Sequence, residues 1–284
     1  MDLSVVVVTF NSRAFVLDCL RSLERARAGL AMEVLVVDNA SADGTADEVR
    51  REAPWARVLE MGGNTGYAKA VNRGTRESTG EFVLALNPDC VVTEQALPGL
   101  LAWMRGHPRT AIAGPQLFDA AGEIELSGRS FPGALTFLFN RYSLLTRLFP
   151  GNPWSRRYLL RDWDRTTPRA VDWMSGSALL VRRSAIDQVG GMDETYFMFN
   201  EDVDWCHCMK DAGWSVDYVP AARVMHRIGS SRSRVSERVI LERHRGMIHY
   251  FRKHHPAHPA IEALVAVLIM LRARLMLAVN ALRS

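Results

Sequence analysis

The chain has 284 residues, 48% of them hydrophobic, and 35 Lys and Arg against 31 Asp and Glu leave a formal charge of +4. That is ample apolar material for one large α/β domain with an appendage, and too mild a charge to expect a nucleic-acid partner. Cys19, Cys90, Cys206 and Cys208 make neither a disulfide framework nor paired zinc-type ligands, so reduced thiols in a cytosolic setting are expected.

Residues 4–10 are an almost continuous β-branched run, the pattern of a strand buried on both faces in a parallel sheet. Met1-Asp2-Leu3 leads straight into it, so no secretory signal is expected. Asn11 and Ser12 supply an N-cap, and Phe15, Val16, Cys19, Leu20 and Leu23 follow at helical spacing. Residues 33–38 predict a second buried strand, Asp43-Gly44-Thr45 turns into a helix, and Val58-Leu59 is a short third strand. Residues 66–79 predict a helix, 82–86 a strand and 97–105 a helix. Strands alternating with helices imply an α/β, Rossmann-like architecture, a mostly parallel central sheet flanked by helices. Such sheets bind ligands beyond the carboxyl ends of their strands, where Thr9, Asp38 and Asn87-Pro88-Asp89 fall.

After about residue 128 the alternation weakens. Residues 131–160 mix large apolar side chains with arginines, Gly151 and prolines, and predict an insertion of short helices. Residues 171–182 return to strand, 202–212 to helix, 216–219 and 223–226 to short strands, and 237–254 to helix. His255-Pro256 then breaks the chain, and 261–282 form a last, strongly apolar helix with Arg272 and Arg274. One domain over residues 1–255 and a C-terminal apolar helix over 256–284 are expected. No segment has the ~20 consecutive apolar residues needed to span a bilayer, so none is expected to cross one.

Residues 191–206 gather Asp193, Glu201, Asp202 and Asp204 beside Tyr196, Phe197, Phe199 and Trp205. Crowded carboxylates in an apolar frame cost free energy, and suit a base or a cation site. A helix N-terminus favoured by the macrodipole is the plainer alternative. Asn87-Pro88-Asp89 follows a strand and suits a divalent cation held against a diphosphate, or an ordinary Asx-Pro turn. Asp38 can accept from the imide N–H of a pyrimidine, or simply close a polar turn. Gly62-Gly63-Asn64-Thr65-Gly66 opens a helix whose N–H groups can face a phosphate or base. Two arginine-rich regions suit phosphates, an anionic membrane surface or a solvated face: Arg141, Arg147, Arg156, Arg157 and Arg161, and the stretch from Arg223 to Arg245.

In this order the motifs resemble the inverting family 2 glycosyltransferases of GT-A fold. The resemblance rests on Val7-Val8-Thr9-Phe10-Asn11-Ser12, Val37-Asp38-Asn39-Ala40-Ser41, Asn64-Thr65-Gly66-Tyr67, Leu86-Asn87-Pro88-Asp89, residues 191–206, Ala212-Gly213-Trp214, and His226 with Gly229 and Ser231. Asn152-Pro153-Trp154, Val171-Asp172-Trp173-Met174-Ser175-Gly176 and Leu180-Val181-Arg182-Arg183 are similar to bacterial rhamnosyltransferases that use dTDP-rhamnose.

The resemblance implies that Thr9, Asn11 and Asp38 face the pyrimidine and ribose, with Asn64, Gly66 and Asn72 lining the nucleotide side. It implies that Asp89 ligates a divalent cation, Mn²⁺ or Mg²⁺, with His226 completing the shell and Asn87 replacing the acid of many relatives. Trp173, Ser175 and Gly176 would flank the donor sugar or acceptor. Asp202 would be the base, with Glu201 its neighbour, while Asp193 and Asp204 orient or cap. The expected reaction moves L-rhamnose from a dTDP-rhamnose donor to a lipid-linked sugar acceptor at the inner face of the cell membrane. A UDP-hexose or UDP-galactofuranose donor, a nucleotidyltransferase and a membrane-surface scaffold are the alternatives. The last helix would lie in the membrane interface, pack on the domain or form a homodimer.

Overall fold

In a computed structural model of the protein, residues 1–27, 29–133, 136, 148–149, 151–227 and 236–281 are described. Strand β1 (Leu3–Thr9) is buried along its whole length and sits between two parallel neighbours, β2 (Met32–Asp38) and β4 (Phe82–Leu86). β3 (Arg57–Glu60) flanks β2 in parallel and carries its charged ends to the sheet edge. Successive side chains of β1 point to opposite faces. Val5 and Val7 therefore join one core, with helices α1 (Arg13–Ala26), α2 (Thr45–Glu52) and α4 (Ala96–Gly106). Val6 and Val8 join the other, with α3 (Tyr67–Arg76), α6 (Arg183–Val189) and α7 (Glu201–Asp211).

Beyond β4 the sheet becomes mixed. β10 (Ala178–Arg182) runs antiparallel between β4 and β6 (Thr110–Phe118). β11 (Ser215–His226) lies parallel to β6, and β5 (Cys90–Val92) and β8 (Arg169–Ala170) pair antiparallel with β11. The order is β3-β2-β1-β4-β10-β6-β11-β5, with β8 beside β11. β5, β8 and β10 oppose the remaining strands, so the sheet is mostly parallel, as expected. The two short strands expected over 216–226 are one strand with a register shift between Val219 and Arg223. Pro220 lies in that interval and has no N–H for a ladder.

β6 was not foreseen. Gly114 and Pro115 interrupt its apolar run, a pattern that argues against a central strand, yet it is buried in mid-sheet. The strand expected over 171–182 is split: β9 (Trp173–Met174) leaves the main sheet to pair with β7 (Gly128–Arg129), and residues 175–177 turn from β9 into β10. Of the expected insertion over 131–160, α5 (Pro153–Tyr158) is described. Asn152 caps it through Oδ1, which accepts from the Ser155 N–H at 2.8 Å. Phe137, Leu138, Phe139, Leu144 and Leu145, and Arg141 and Arg147, lie outside the described residues, as do Gly229, Ser231, Arg232 and Arg234.

At the C-terminus α8 (Glu237–His254) and α9 (Pro259–Ala281) pack together. An ionic knot ties α8 to the sheet domain. Lys253 Nζ lies 3.0 Å from Asp193 and 2.8 Å from Asp204, His254 Nε2 lies 2.7 Å from Asp204, and His249 Nε2 lies 3.0 Å from Asp193. α9 is apolar around most of its circumference, and its outward face exposes Ile261, Leu264, Leu268, Leu271 and Leu275. No helix among the described residues is long and apolar enough to cross a membrane.

Candidate active site

A cleft of about 550 Å³ opens where β4, β9 and β11 end and β5 and α7 begin. Asn87, Asp89, Trp173, Ser175, Gly176, Glu201, Asp202 and His226 all line it, although they span 140 residues of sequence. Each arrives by a different route. Phe199 and Asn200 both take positive φ, +67° and +72°, and this bend starts α7 at Glu201 in the cleft wall. Non-glycine residues rarely adopt that conformation, and it costs of order 1–3 kcal/mol per residue. Packing holds it, since a Cβ on Gly246 of α8 would lie 2.8 Å from Asn200 Nδ2.

Asp202 is fixed at both oxygens. Oδ2 accepts from the Gly176 N–H at 2.8 Å and Oδ1 from the Val203 N–H at 2.9 Å. Burial raises its pKa, the two N–H groups and Arg129 lower it, and the net displacement is upward. That suits a proton acceptor better than an ordinary surface aspartate. Glu201 is buried, and its Oε2 has no hydrogen-bond partner among the described residues. Burial and the adjacent Asp202 charge push its pKa well above the carboxylate range. Asp193 and Asp204 behave in the opposite sense. Burial opposes ionisation of both, but His249, the Thr195 N–H and hydroxyl, and Lys253 at Asp193, and His254 and Lys253 at Asp204, outweigh it and hold both below their ordinary values.

The metal-type residues meet at the β5–β11 pairing, where His226 stands opposite Cys90 in the register. Asp89, Cys90 and His226 bring ligand atoms within 4.8 Å of one another. His226 Nδ1 lies 2.9 Å from Glu125 Oε1, which leaves Nε2 facing Asp89 Oδ1 at 3.6 Å. Asp89 Oδ1 is buried without a hydrogen-bond partner. An orphaned carboxylate oxygen beside an oriented imidazole fits a divalent cation. Burial depresses the His226 pKa, but Asp89 and Glu125 push it up to about 9. Cys208, beside Asp204 and His254, forms a further cluster of ligand-type atoms, but Lys253 already pairs with that Asp204.

The other expected binding residues stand outside the cleft lining. Thr9 Oγ1 donates to Asp38 Oδ1 at 2.8 Å, and Ser41 Oγ and N–H donate to Asp38 Oδ1 and Oδ2. A carboxylate accepts about four hydrogen bonds, so Asp38 Oδ2 retains capacity for a ligand N–H. Asn11 Oδ1 accepts from the Ala42 N–H at 2.8 Å, which ties the first two strand ends together. Gly66, at φ +95°, follows Asn64, whose Oδ1 accepts its N–H at 3.3 Å. A Cβ on Gly66 would lie 2.5 Å from the Phe197 carbonyl oxygen, so only glycine permits that approach. Asn72 holds the loop before α7: its amide donates to Met192 O and Glu194 Oε1 and accepts from the Met192 N–H.

Glu125, Arg129, Tyr158, Arg243 and Tyr250 also line the cleft. Sequence reasoning gave none of them an individual role, because no motif surrounds them. Tyr67 was within a quoted motif, and its hydroxyl donates to Gly176 O at 2.9 Å.

Comparison with known proteins identifies the family and the fold. Residues 4–190 match the family model described as Glycosyl transferase family 2. The N-acetylglucosaminyl-diphospho-decaprenol L-rhamnosyltransferase of Mycobacterium tuberculosis is 37% identical over 245 residues, 82% of this chain and 78% of that protein. Rhamnosyltransferase WbbL of Escherichia coli is 29% identical over 172 residues, covering 60% of this chain and 61% of that protein. Among solved structures, the Pyrobaculum calidifontis mannosyltransferase PcManGT in complex with GDP-Man and Mn²⁺ superposes with a TM-score of 0.61 at 19% identity, over 99% of this chain and 73% of that one.

Proposed function

The chain belongs to glycosyl transferase family 2, and on that premise we propose that this glycosyltransferase moves L-rhamnose from dTDP-β-L-rhamnose, with inversion, to a polyprenyl-diphosphate-linked sugar. The mycobacterial relative's name supports both the rhamnosyl group and the lipid diphosphate. The observation that carries the catalytic reading is Asp202, buried at the cleft wall with both oxygens aimed by backbone N–H groups.

Asp202 takes the proton of the acceptor hydroxyl as that oxygen attacks the anomeric carbon opposite the leaving nucleotide. One carboxylate suffices for such a single displacement. Asp89 and His226, with Asn87 beside them, would hold a divalent cation. When bound, it supplies charge compensation for the departing diphosphate. An imidazole ligand suits Mn²⁺ better than Mg²⁺, and PcManGT was solved with Mn²⁺. Thr9, Asn11, Asp38, Asn64 and Gly66 are assigned to the nucleotide, Trp173, Ser175 and Gly176 to the sugars, and Asn72 to positioning the loop before α7. Residues 1–255 form the catalytic unit and 256–284 its apolar appendage. A lipid-linked acceptor places the enzyme at the inner face of the cell membrane, and the exposed leucines of α9 suit that surface.

Purified protein with Mn²⁺ and a polyprenyl-diphospho-N-acetylglucosamine should form a rhamnosylated lipid from dTDP-rhamnose. Transfer from UDP-galactofuranose or another UDP-hexose instead would overturn the donor assignment.

A further inference from the structure

The cleft carries two kinds of charge. The β5–β11 corner offers the cation ligands Asp89 and His226, and a second wall offers two guanidinium groups. Arg129 ends β7, where the register sets it opposite Trp173. Its Nε donates to Leu126 O at 2.5 Å, and its Cζ lies 4.7 Å from the Trp173 ring centroid. A backbone carbonyl and an aromatic face therefore aim the fork. Arg243 reaches the cleft from α8, with its Cζ 5.2 Å from the Phe199 ring centroid, and its carbonyl accepts from Asn200 Nδ2 at 3.2 Å. Tyr158, the last residue of α5, stands with its ring 6.4 Å from that of Trp173. Burial raises the Tyr158 pKa while Arg129 and Arg243 both lower it, so the hydroxyl and the two cations share one neighbourhood.

Resting on the reading of a lipid-diphosphate acceptor, we propose that Arg129 and Arg243, with Tyr158 beside them, form an anion subsite for the acceptor's own diphosphate, separate from the cation-dependent subsite of the donor. An acceptor diphosphate must enter a cleft that already holds the carboxylates of Asp89, Glu125 and Asp202. Like-charge repulsion would exclude it without dedicated cations. Guanidinium forks match phosphate oxygens bidentately and remain charged at any working pH. The placement also suits the lipid. α8 carries Arg243 on the cleft side and packs on α9, whose Arg272 Nη1 lies 3.7 Å from the Sδ of cleft-lining Met247. The apolar outer face of α9 is thus one helix away from the subsite.

The test is binding of farnesyl diphosphate and of farnesol to the full chain, saturated with dTDP and Mn²⁺ so that the donor subsite is filled. The wild type binds the diphosphate in preference to the alcohol. Arg129→Gln and Arg243→Gln each weaken the diphosphate by about tenfold or more and leave farnesol and dTDP unchanged. Arg129→Lys and Arg243→Lys keep the stem and carry the test if the glutamine variants do not fold, with a loss of about threefold expected because a point charge replaces the fork. Wild-type affinity in the variants overturns the proposal, as does competitive displacement of farnesyl diphosphate by dTDP and Mn²⁺. Because no transfer is measured, an inactive wild type with dTDP-rhamnose would count against the donor and acceptor reading and not against the subsite.

Discussion

Gly176 lies directly against Asp202: the Gly176 N–H donates to Asp202 Oδ2, and a Cβ on Gly176 would lie 3.2 Å from Asp202 Cβ and 3.3 Å from Oδ2. The side chain assigned as base is therefore aimed by a residue 26 positions upstream. Asp202→Asn should lower kcat by about 10²–10⁴-fold, the usual contribution of a general base, with dTDP binding retained. Gly176→Ala should lower kcat by about tenfold or more with little change in dTDP affinity, because it shifts the carboxylate and not the nucleotide. Steady-state kinetics with a calorimetric dTDP titration checks both. Near wild-type turnover in Asp202→Asn would move the role to Glu201.

Glu201 should cost the fold stability as pH rises. Its folded pKa is raised, so the folded state holds a proton that the unfolded chain releases. The resulting cost is absent below the unfolded pKa of about 4.3 and grows as pH rises toward the folded value. Glu201→Gln should therefore raise Tm by about 2 °C or more near pH 8, with the gain vanishing toward pH 4. Thermal unfolding at the two pH values decides it. Equal Tm differences at both would show that Glu201 is ionised in the folded protein.

The knot at α8 titrates the other way. Asp193 and Asp204 have lowered folded pKa values, so their stabilisation is complete above the unfolded value of about 3.9 and is lost as pH falls below it. Asp204→Asn should cost about 3 kcal/mol near neutral pH, because Lys253 and His254 lose their buried partner. Denaturant unfolding across the acid range should show the mutant and wild-type curves converging as pH falls.

Metal dependence should follow His226. With a proton held up to a pKa of about 9 by Asp89 and Glu125, cation binding must release that proton. Mn²⁺ affinity should rise by up to about tenfold per pH unit between neutrality and 9. Asp89→Ala and His226→Ala should each weaken Mn²⁺-dependent donor binding. Calorimetry in buffers of different ionisation enthalpy reads the released proton. A wild-type rate indifferent to EDTA would remove the metal from the mechanism.

The outward face of α9 should hold the protein to lipid. Full-length protein should float with anionic vesicles, less so at high salt. Leu264→Glu with Leu271→Glu should cut partitioning by about tenfold or more, since each buried leucine contributes about 1.5–3 kcal/mol. Protein that stays in solution at low salt and sediments as a dimer would assign the face to a second copy.

Local pattern alone was sufficient where an element depends on its own residues. The β-branched runs of β1 and β2, the 82–86 strand and the 237–254 helix were legible because burial on both faces, or on one helical stripe, writes itself into periodicity. The carboxylates of α7 were legible for a related reason, that charge in an apolar frame is costly and rarely incidental. β6 was not, because Gly114 and Pro115 break the pattern that its burial would otherwise show. Only the tertiary structure could bring Glu125 to His226, Gly176 to Asp202, and Arg129 and Arg243 into one cleft. Those contacts join segments on different elements, and no local preference encodes a distance between side chains whose positions depend on how the sheet and the helices around it assemble.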